Sequence, residues 1–367
     1  MKFSCNKQTL QDGILIALKA ITGKTTNPIL EGIYLKAKDS KLTLIGSDMD
    51  VSIETTIDVD IIEEGIIVID AKMFSEIIRK LPSESEILIE TIEKNAIQIT
   101  CEKSVIKMVS MDGEDYPELP SIDQNKNISI PQNILKNMIK STSFAIAVDD
   151  TRPILQGILF EVKDKKINLV ALDGYRLAIK TEYINDDLEF SVVIPGKTLN
   201  EVAKILEDSE EMVNITFTEN HILFNIGETK IISRLLEGKY INYTSLLPQE
   251  YKILIIANKQ KLQNCIERAS LMAREANSYL IKLKAKEDNL IITSNSQYGN
   301  IKEEVDIDLQ GEEIEIAFNS KYLLDVLKNM DEENVEIQMT SSVSPCVIKA
   351  QNTEIYKYLV LPVRLVK

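Results

Sequence analysis

A hexapeptide that occurs twice decides the fold. Residues Pro28–Ile33 read PILEGI and residues Pro153–Ile158 read PILQGI, an offset of 125 positions. Each copy leads into two segments of alternating apolar residues joined by a turn, which is typical of a β-hairpin. A weaker third copy of the hairpin spans residues 280–295. Solenoid repeats are ~20–50 residues long, so a period of 125 favours tandem domains over a solenoid.

The segments on either side of these hairpins repeat as well. Stretches with the 3.6-residue spacing of an amphipathic helix precede and follow each hairpin. The sequence predicts helices within 7–24, 71–81, 131–142, 196–206, 257–274 and 320–330. Each third of the chain therefore predicts the order strand, helix, strands, helix, strands.

Prolines interrupt the pattern at Pro117, Pro120 and Pro248. We place boundaries near residues 122 and 248, which gives a first repeat (1–122), a second repeat (123–248) and a third repeat (249–367). About eight short strands in each repeat need a shared sheet, and two helices can cover only one face of it. The predicted fold class is α+β, with three tandem modules of two helices on a sheet.

Composition excludes several classes of site. The single histidine, His221, rules out a multi-histidine metal site and is predicted to lie in a turn. The four cysteines show no C-x-x-C pair, which indicates buried reduced thiols rather than disulfides or a zinc site. The N-terminus lacks a signal-peptide pattern and no apolar run approaches ~20 residues, so we expect a soluble cytoplasmic protein.

Charge is strongly segregated along the chain. The 42 Lys and Arg against 57 Asp and Glu give a net charge of −15, which by itself predicts repulsion of nucleic acid. The six predicted helical segments nevertheless sum to +11 and the remainder to −26. Helix propensity does not explain this bias, because Glu forms helices as well as Lys does and is nearly absent from them. The helices predict a basic surface that binds phosphates without reading sequence. No aromatic residues are interleaved, so duplex is favoured over single-stranded nucleic acid.

The sequence carries no convincing catalytic motif. Residues 23–25 and 196–198 both read Gly-Lys-Thr, like the end of a phosphate-binding loop, but neither has the required upstream glycine. Acidic pairs such as Asp48 and Asp50 could hold a divalent ion. Among 57 carboxylates such pairs are expected by chance. We therefore predict no enzyme activity, no metal and no cofactor.

Taken together, the motifs identify a family. The threefold repeat, Pro28–Leu30, Asp173–Leu177 (DGYRL), Phe318–Leu327 (FNSKYLLDVL) and the ending Leu361–Leu365 (LPVRL) resemble the bacterial DNA polymerase III β subunit, the sliding clamp. The resemblance covers the whole chain. It implies a head-to-tail homodimer of DNA-clamp modules, closed as a ring around duplex DNA. Helices would line the hole and sheets would form the outside, in keeping with the charge map.

The resemblance also implies how such a ring works. Enclosure prevents escape from duplex DNA while loose phosphate contacts permit sliding, and a tethered polymerase gains effective concentration at the primer end. The basic candidates for DNA contact are Lys24, Lys136, Lys140, Lys197, Lys204, Lys259, Lys261, Arg268 and Arg274. Asp149 stands where some relatives carry Gln.

A second implied surface is an apolar pocket between the second and third repeats. In the family it receives short linear peptides from polymerases, the clamp loader and repair proteins. The second repeat supplies Leu155, Leu172, Gly174, Tyr175, Arg176, Leu177, Ile241 and Leu246. The third repeat supplies Asn319, Tyr322, Val343, Val360, Leu361, Pro362, Val363 and Arg364. Many relatives carry His in place of Tyr175 and Pro in place of Ile241, which leaves the peptide preference open.

Two alternatives remain at this point. The chain could be a scaffold of three modules that uses only the peptide pocket and never meets DNA. It could also be a hydrolase with an acidic metal site.

Overall fold

The computed structural model describes residues 1–23, 25–122, 127–148, 151–185, 187–275 and 278–364. These residues form six α-helices and 25 β-strands in the predicted order within each repeat. The helices are α1 (Lys7–Ala17), α2 (Ala71–Lys80), α3 (Gln132–Ser143), α4 (Gly196–Ile205), α5 (Lys259–Glu275) and α6 (Ser320–Lys328).

The strands occur in three groups, one per repeat. The first repeat contains β1 (Lys2–Asn6), β2 (Gly32–Lys38), β3 (Lys41–Ser47), β4 (Val51–Asp58), β5 (Asp60–Glu63), β6 (Gly65–Asp70), β7 (Glu86–Glu93), β8 (Ala96–Cys101) and β9 (Ser104–Asp112). The second contains β10 (Asn127–Pro131), β11 (Gly157–Lys163), β12 (Lys166–Leu172), β13 (Arg176–Tyr183), β14 (Phe190–Pro195), β15 (Met212–Phe217), β16 (His221–Ile226) and β17 (Thr229–Arg234). The third contains β18 (Ile253–Asn258), β19 (Leu280–Lys286), β20 (Asn289–Ser296), β21 (Gly299–Gln310), β22 (Ile314–Asn319), β23 (Asn334–Met339), β24 (Cys346–Ala350) and β25 (Tyr356–Val360).

Local sequence sets the helix limits. Asp70 and Asn319 each precede a helix, and their side-chain oxygens accept hydrogen bonds from the backbone amides of Met73 (2.7 Å) and Lys321 (3.0 Å). Such caps satisfy amides that the first helical turn leaves unpaired. Helix α1 ends at Ala17 and continues as a 3-10 turn over Leu18–Ala20, which stops where ITG at residues 21–23 brings residues of low helix propensity.

The chain divides into two compact units that do not coincide with the repeats. The first unit comprises residues 1–135 and 201–235 and holds a 13-stranded antiparallel sheet in the order β10-β15-β16-β17-β4-β3-β2-β6-β9-β8-β7-β1-β5. The second comprises residues 136–200 and 236–367 and holds a 12-stranded sheet in the order β14-β11-β12-β13-β25-β24-β23-β18-β21-β20-β19-β22. The strands of the second repeat are therefore shared between two sheets.

The same strand pairing joins the first repeat to the second and the second repeat to the third. Strand β4 of the first repeat pairs with β17, the last strand of the second repeat. Strand β13 of the second repeat, which is equivalent to β4, pairs with β25, the last strand of the third repeat. Each of these junctions satisfies the backbone groups of two strand edges that would otherwise be exposed.

The apolar core of each unit lies where the sequence pattern predicts it. In the first unit Phe3 and Ile14 are buried with Phe74 and Ile78 of α2 in one cluster. All four cysteines are buried and none is in a disulfide, as the sequence indicated. His221 closes the turn before β16, since the Thr218 amide donates to its carbonyl oxygen at 2.9 Å, and it is also the first residue of that strand, opposite Arg234. Within the described ranges no helix is long and apolar enough to cross a bilayer.

Candidate partner-binding site

The loop from Asp173 to Arg176 connects β12 to β13 and shapes one side of the candidate pocket. Gly174 has φ of +91°, a conformation that a residue with a side chain adopts only at a cost. The Asp173 carboxylate accepts hydrogen bonds from the backbone amides of Tyr175 (2.9 Å) and Arg176 (3.0 Å). The turn is thereby fixed, and Tyr175 points its ring outward with 61% of its surface exposed.

The guanidinium of Arg176 is buried, and each of its three nitrogens donates a hydrogen bond inside the protein. Its Nε donates to Asp173 Oδ2 at 3.0 Å, and its two terminal nitrogens donate to the Asp325 carboxylate and the Phe144 carbonyl oxygen. Its Cζ also lies 4.7 Å from the ring centroid of Tyr322. A planar guanidinium suits such a combination of paired hydrogen bonds and aromatic contact. Arg176 therefore joins β13 to α6 and to the end of α3.

Two tyrosines from different repeats lie against each other above this arginine. The rings of Tyr175 and Tyr322 are stacked, with centroids 6.1 Å apart and planes inclined at 24°. Burial, together with the nearby Asp173 carboxylate, raises the pKa of Tyr322 above its ordinary value despite the opposing charge of Arg176. Tyr322 thus stays neutral at physiological pH.

The segment that follows β25 runs alongside the Tyr175–Arg176 turn. Strand β25 ends at Val360, which is buried and opposite Arg176 in the β13·β25 ladder. The next amide, that of Leu361, donates to the Tyr175 carbonyl oxygen at 2.9 Å, and the amide of Val363 donates to the Ala317 carbonyl oxygen at 2.8 Å. Those contacts hold the last described residues against the candidate pocket.

An apolar cluster forms the floor next to this segment. Leu155, Leu172 and Leu177 are buried in one cluster, and Ile241 packs against it half-buried. Buried leucines are ordinary core residues, so their position alone does not define a binding site. The cluster also contains Tyr243, whose hydroxyl donates to the Glu161 carboxylate.

Several apolar side chains of the predicted set remain exposed. Besides Tyr175 these are Leu246, Val343, Leu361 and Val363, with Pro362 half-buried. Arg364 is exposed as well, whereas the side chain of Asn319 is occupied as the cap of α6. The structure therefore brings together a buried floor, an aromatic pair and exposed apolar side chains, an arrangement that suits an apolar ligand with a few orienting polar groups.

Sequence reasoning missed three residues of this site. Asp173 and Asp325 fall inside the motifs DGYRL and FNSKYLLDVL but were not assigned a role, although an acidic residue in either motif is a natural partner for Arg176. Phe144 contributes a carbonyl oxygen and a ring face to the same arginine. Nothing in its local sequence points to this, because only the fold brings the end of α3 to β13.

The basic candidates for DNA contact differ in the solvent exposure of their side chains. Lys24 lies outside the described residues, as does Asp149. Six of the others are exposed, namely Lys140, Lys197, Lys204, Lys261, Arg268 and Arg274. Lys136 and Lys259 are half-buried.

Some of these cations already have partners on the protein. Lys259 Nζ donates to the Met330 carbonyl oxygen at 2.7 Å. Arg268 donates twice to the Glu303 carboxylate, at 2.8 and 2.6 Å, and Lys204 pairs with Glu201 at 2.7 Å. The charges of Arg268 and Lys204 are therefore partly neutralised by carboxylates, whereas the hydrogen bond of Lys259 holds its ammonium group in place without neutralising it.

Comparison with known proteins identifies the family. Models of the DNA polymerase III beta subunit match in three pieces, the N-terminal domain at residues 1–120, the central domain at 129–242 and the C-terminal domain at 244–364. The beta sliding clamp of Bacillus subtilis is 38% identical, with 99% of this chain and 100% of the relative covered. That of Staphylococcus epidermidis is 36% identical, with 99% of both covered.

Solved structures agree with this assignment. The crystal structure of the DNA polymerase sliding clamp from Bacillus subtilis matches with a TM-score of 0.97 at 38% identity, and a clamp from Pseudomonas aeruginosa bound to griselimycin matches with 0.95 at 28% identity. Both comparisons cover 100% of each chain. Fold and relatives thus define a DNA sliding clamp. The chain belongs to the DNA polymerase III beta subunit family, the β sliding clamps of bacteria.

The family settles the main functional questions. The chain is a non-catalytic accessory subunit that confers processivity on the replicative DNA polymerase. The resemblance seen in the sequence and the predicted clamp fold are confirmed. The alternatives of a DNA-independent scaffold and of a hydrolase are set aside.

Proposed function

We propose that two copies of this clamp join head to tail through strands β9 and β21 and so close a ring around duplex DNA. One observation carries the proposal. Twice within the chain, the strand after a hairpin (β4, β13) pairs with the last strand of the next repeat (β17, β25). The equivalent strand of the third repeat is β21, which among the described residues pairs only with strands of its own repeat, β18 and β20. The last strand of the first repeat is β9, which in the same part of the chain pairs only with β6 and β8.

Strands β21 and β9 each have an unpaired edge that could form a third junction of the same kind. Along residues 299–306 strand β21 pairs with β20, and along 104–109 strand β9 pairs with β8. Among the described residues neither segment has a neighbour on its other edge. Unpaired edges are templates for pairing with another chain. A heterologous contact of this kind forms a closed assembly when the rotation between copies closes.

The side chains of the two edges are complementary. Val105 and Val109 on β9 are 58% and 78% exposed, which is unusual for valine on a strand. Exposed Lys107 lies between them, and exposed Asp306 lies on β21 near Glu304, which pairs with Lys302 at 2.6 Å. Burial of the valines and pairing of opposite charges would both favour association of β9 with β21.

The dimer has a direct test. Replacing both valines, Val105→Glu and Val109→Glu, should convert the dimer to a monomer in multi-angle light scattering at micromolar concentration. A matched control is Val148→Glu, since Val148 is also exposed but lies in a loop. Retention of the dimer by the β9 variant, or its loss in the control, would contradict the assignment.

For DNA, we assign the contact to the basic helical segments. The candidates named above would make loose phosphate contacts without base recognition, which allows sliding. The segregation of +11 on the predicted helical segments against −26 elsewhere supports this assignment. After loading by a clamp loader, the clamp should stay on circular duplex and run off once the circle is linearised. Equal dissociation from both forms would refute encirclement.

For protein partners, we assign the pocket around the Tyr175–Tyr322 pair. Short linear peptides of the replicative polymerase, the clamp loader and repair proteins would bury apolar side chains against the exposed Leu361 and Val363 beside this pair. The exposure of these apolar side chains supports the assignment. The expected location is the cytoplasm, where replication takes place. Fluorescence polarisation with a labelled polymerase tail peptide tests the pocket.

A further inference from the structure

A second cleft opens beside the proposed peptide pocket. It has a volume of about 180 Å³ and lies between residues 247–251 and one face of strands β23–β25. Two backbone contacts fix its walls. The Lys252 amide donates to the Met339 carbonyl oxygen at 3.0 Å, and Thr340 Oγ1 donates to the Glu250 carbonyl oxygen at 3.1 Å. The cleft is thus part of the folded sheet rather than a gap between loose loops.

The cleft continues the apolar floor of the pocket. Leu247 lines the cleft and also packs against the cluster that contains Leu155 and Leu172. On the other wall Val347 is the register partner of Leu359, which belongs to the same cluster. A peptide whose apolar residues lie on that floor would therefore carry its flanking residues toward this cleft.

Two lysines in the cleft share one carboxylate. Lys349 Nζ lies 2.8 Å from Glu354 Oε1, and Lys357 Nζ lies 2.8 Å from Glu354 Oε2. The side chain of Glu354 is 60% exposed, whereas that of Lys349 is 17% exposed. Lys349 is also 3.4 Å from the carboxylate of Glu336, its register partner on β23. The sheet therefore holds Lys349 in place independently of Glu354.

The geometry points to a binding site for an acidic side chain. We propose that the cleft accepts an Asp or Glu that flanks the clamp-binding segment of a partner peptide, and that Glu354 occupies the place of this carboxylate when no peptide is bound. The proposal rests on the peptide pocket described above. The side chain of Lys357 is 36% exposed and that of Glu354 is 60% exposed, and ion pairs that water reaches are weak, so displacing Glu354 from Lys357 costs little. The ammonium group of Lys357 then becomes available to the incoming carboxylate, with Lys349 held beside it by Glu336, and Glu354 is displaced without breaking any backbone contact.

The experiment compares two labelled peptides that share one polymerase tail segment. One form carries two Asp residues at each end, and the other carries two Asn residues in the same places. Dissociation constants are measured by fluorescence polarisation at low and high salt. The proteins are the unchanged full-length chain, Glu354→Gln, Lys349→Gln with Lys357→Gln, and a control, Lys282→Gln with Lys284→Gln, that removes the same charge from exposed positions of β19.

The expected results are ratios of the affinities of the Asp and Asn peptides for each protein. The Asp form should bind the unchanged chain about threefold more tightly than the Asn form at low salt, and this ratio should rise about threefold further in Glu354→Gln. It should fall to about one in the Lys349 and Lys357 variant and stay unchanged in the control. A ratio of one in the unchanged chain, or a ratio that the lysine variant shares with the control, would overturn the proposal.

Failure of the pocket itself gives a different result. If the Asn form binds normally while the Asp form shows no advantage, the pocket stands and the acidic site is refuted. If neither form binds the unchanged chain, the proposed pocket and the acidic site fall together. Thermal melting of each variant shows that it is folded before its binding is interpreted.

Discussion

Arg176 and Tyr322 come from different repeats, and the guanidinium carbon of the arginine lies 4.7 Å from the centroid of the tyrosine ring. Around this contact Arg176 is hydrogen-bonded to Asp173, Asp325 and the Phe144 carbonyl oxygen. The arginine is therefore a structural tie behind the candidate pocket. It positions the two tyrosines that a peptide would touch.

Removal of this tie should be costly. In Arg176→Met two carboxylates lose a buried partner, and breaking such a pair typically costs about 3–5 kcal/mol. We expect the free energy of unfolding in urea to fall by about 3 kcal/mol, with weaker binding of the polymerase tail peptide. Arg274→Met, which changes an exposed arginine, should stay within about 0.5 kcal/mol of the unchanged chain. Equal stability of the two variants would contradict the role given to Arg176.

Shortening the chain should remove peptide binding without unfolding the clamp. A chain that ends at Val360 keeps all of β25 but loses the amide of Leu361, which bonds Tyr175, and the exposed apolar side chains of Leu361 and Val363. We expect no measurable affinity for the tail peptide in fluorescence polarisation. Circular dichroism and light scattering should be unchanged. An unaltered dissociation constant in a folded, shortened clamp would refute the pocket.

The basic helices should control attachment to DNA. Lys140→Glu with Lys197→Glu reverses two exposed charges, and each lost phosphate contact should reduce the slope of log K against log salt by about 0.9. Loading onto nicked circular duplex should weaken, and the dimer should persist in light scattering. The matched control is Lys282→Glu with Lys284→Glu on β19. If control and test variants load equally, these helices are not the DNA-contacting surface.

The buried thiols should make stability depend on alkaline pH. Burial, with the charges of Glu86 and Asp60, raises the pKa of Cys5 to about 12, and burial raises that of Cys346 to about 12. In the unfolded chain both thiols ionise near the ordinary cysteine pKa of 9.0. Stability from these groups is therefore complete below pH 9 and is lost as pH rises toward 12.

That pH dependence can be isolated with a double variant. Replacing both residues, Cys5→Ala and Cys346→Ala, should flatten the fall in unfolding free energy between pH 8 and pH 10.5. Labelling by a thiol reagent at pH 8 should be slow in the native clamp and complete in denaturant, because only the thiolate reacts. An identical pH slope in the unchanged chain and the variant would contradict the shifted thiols.

The sequence was sufficient for some features and not for others, for physical reasons. The repeat, the order of elements and the buried cysteines depend on local periodicity, which is written along the chain. The pairings β4·β17 and β13·β25 are not local, because any exposed strand edge can in principle accept another. Arg176 and Asp325 are 149 positions apart, so their contact appears only when β13 meets α6. The repeat boundaries at 122 and 248 stay predictions.

The sharing of strands between repeats has a consequence for how the clamp is made. The first compact unit needs residues 1–135 together with 201–235, since β17 completes its sheet beside β4. During synthesis this unit cannot finish until residue 235 has emerged from the ribosome, although its first 122 residues emerge long before. Until then the edge of β4 that will pair with β17 stays unpaired in the nascent chain. A fragment cut at residue 122 would keep the same edge permanently, with β4 open to aggregation.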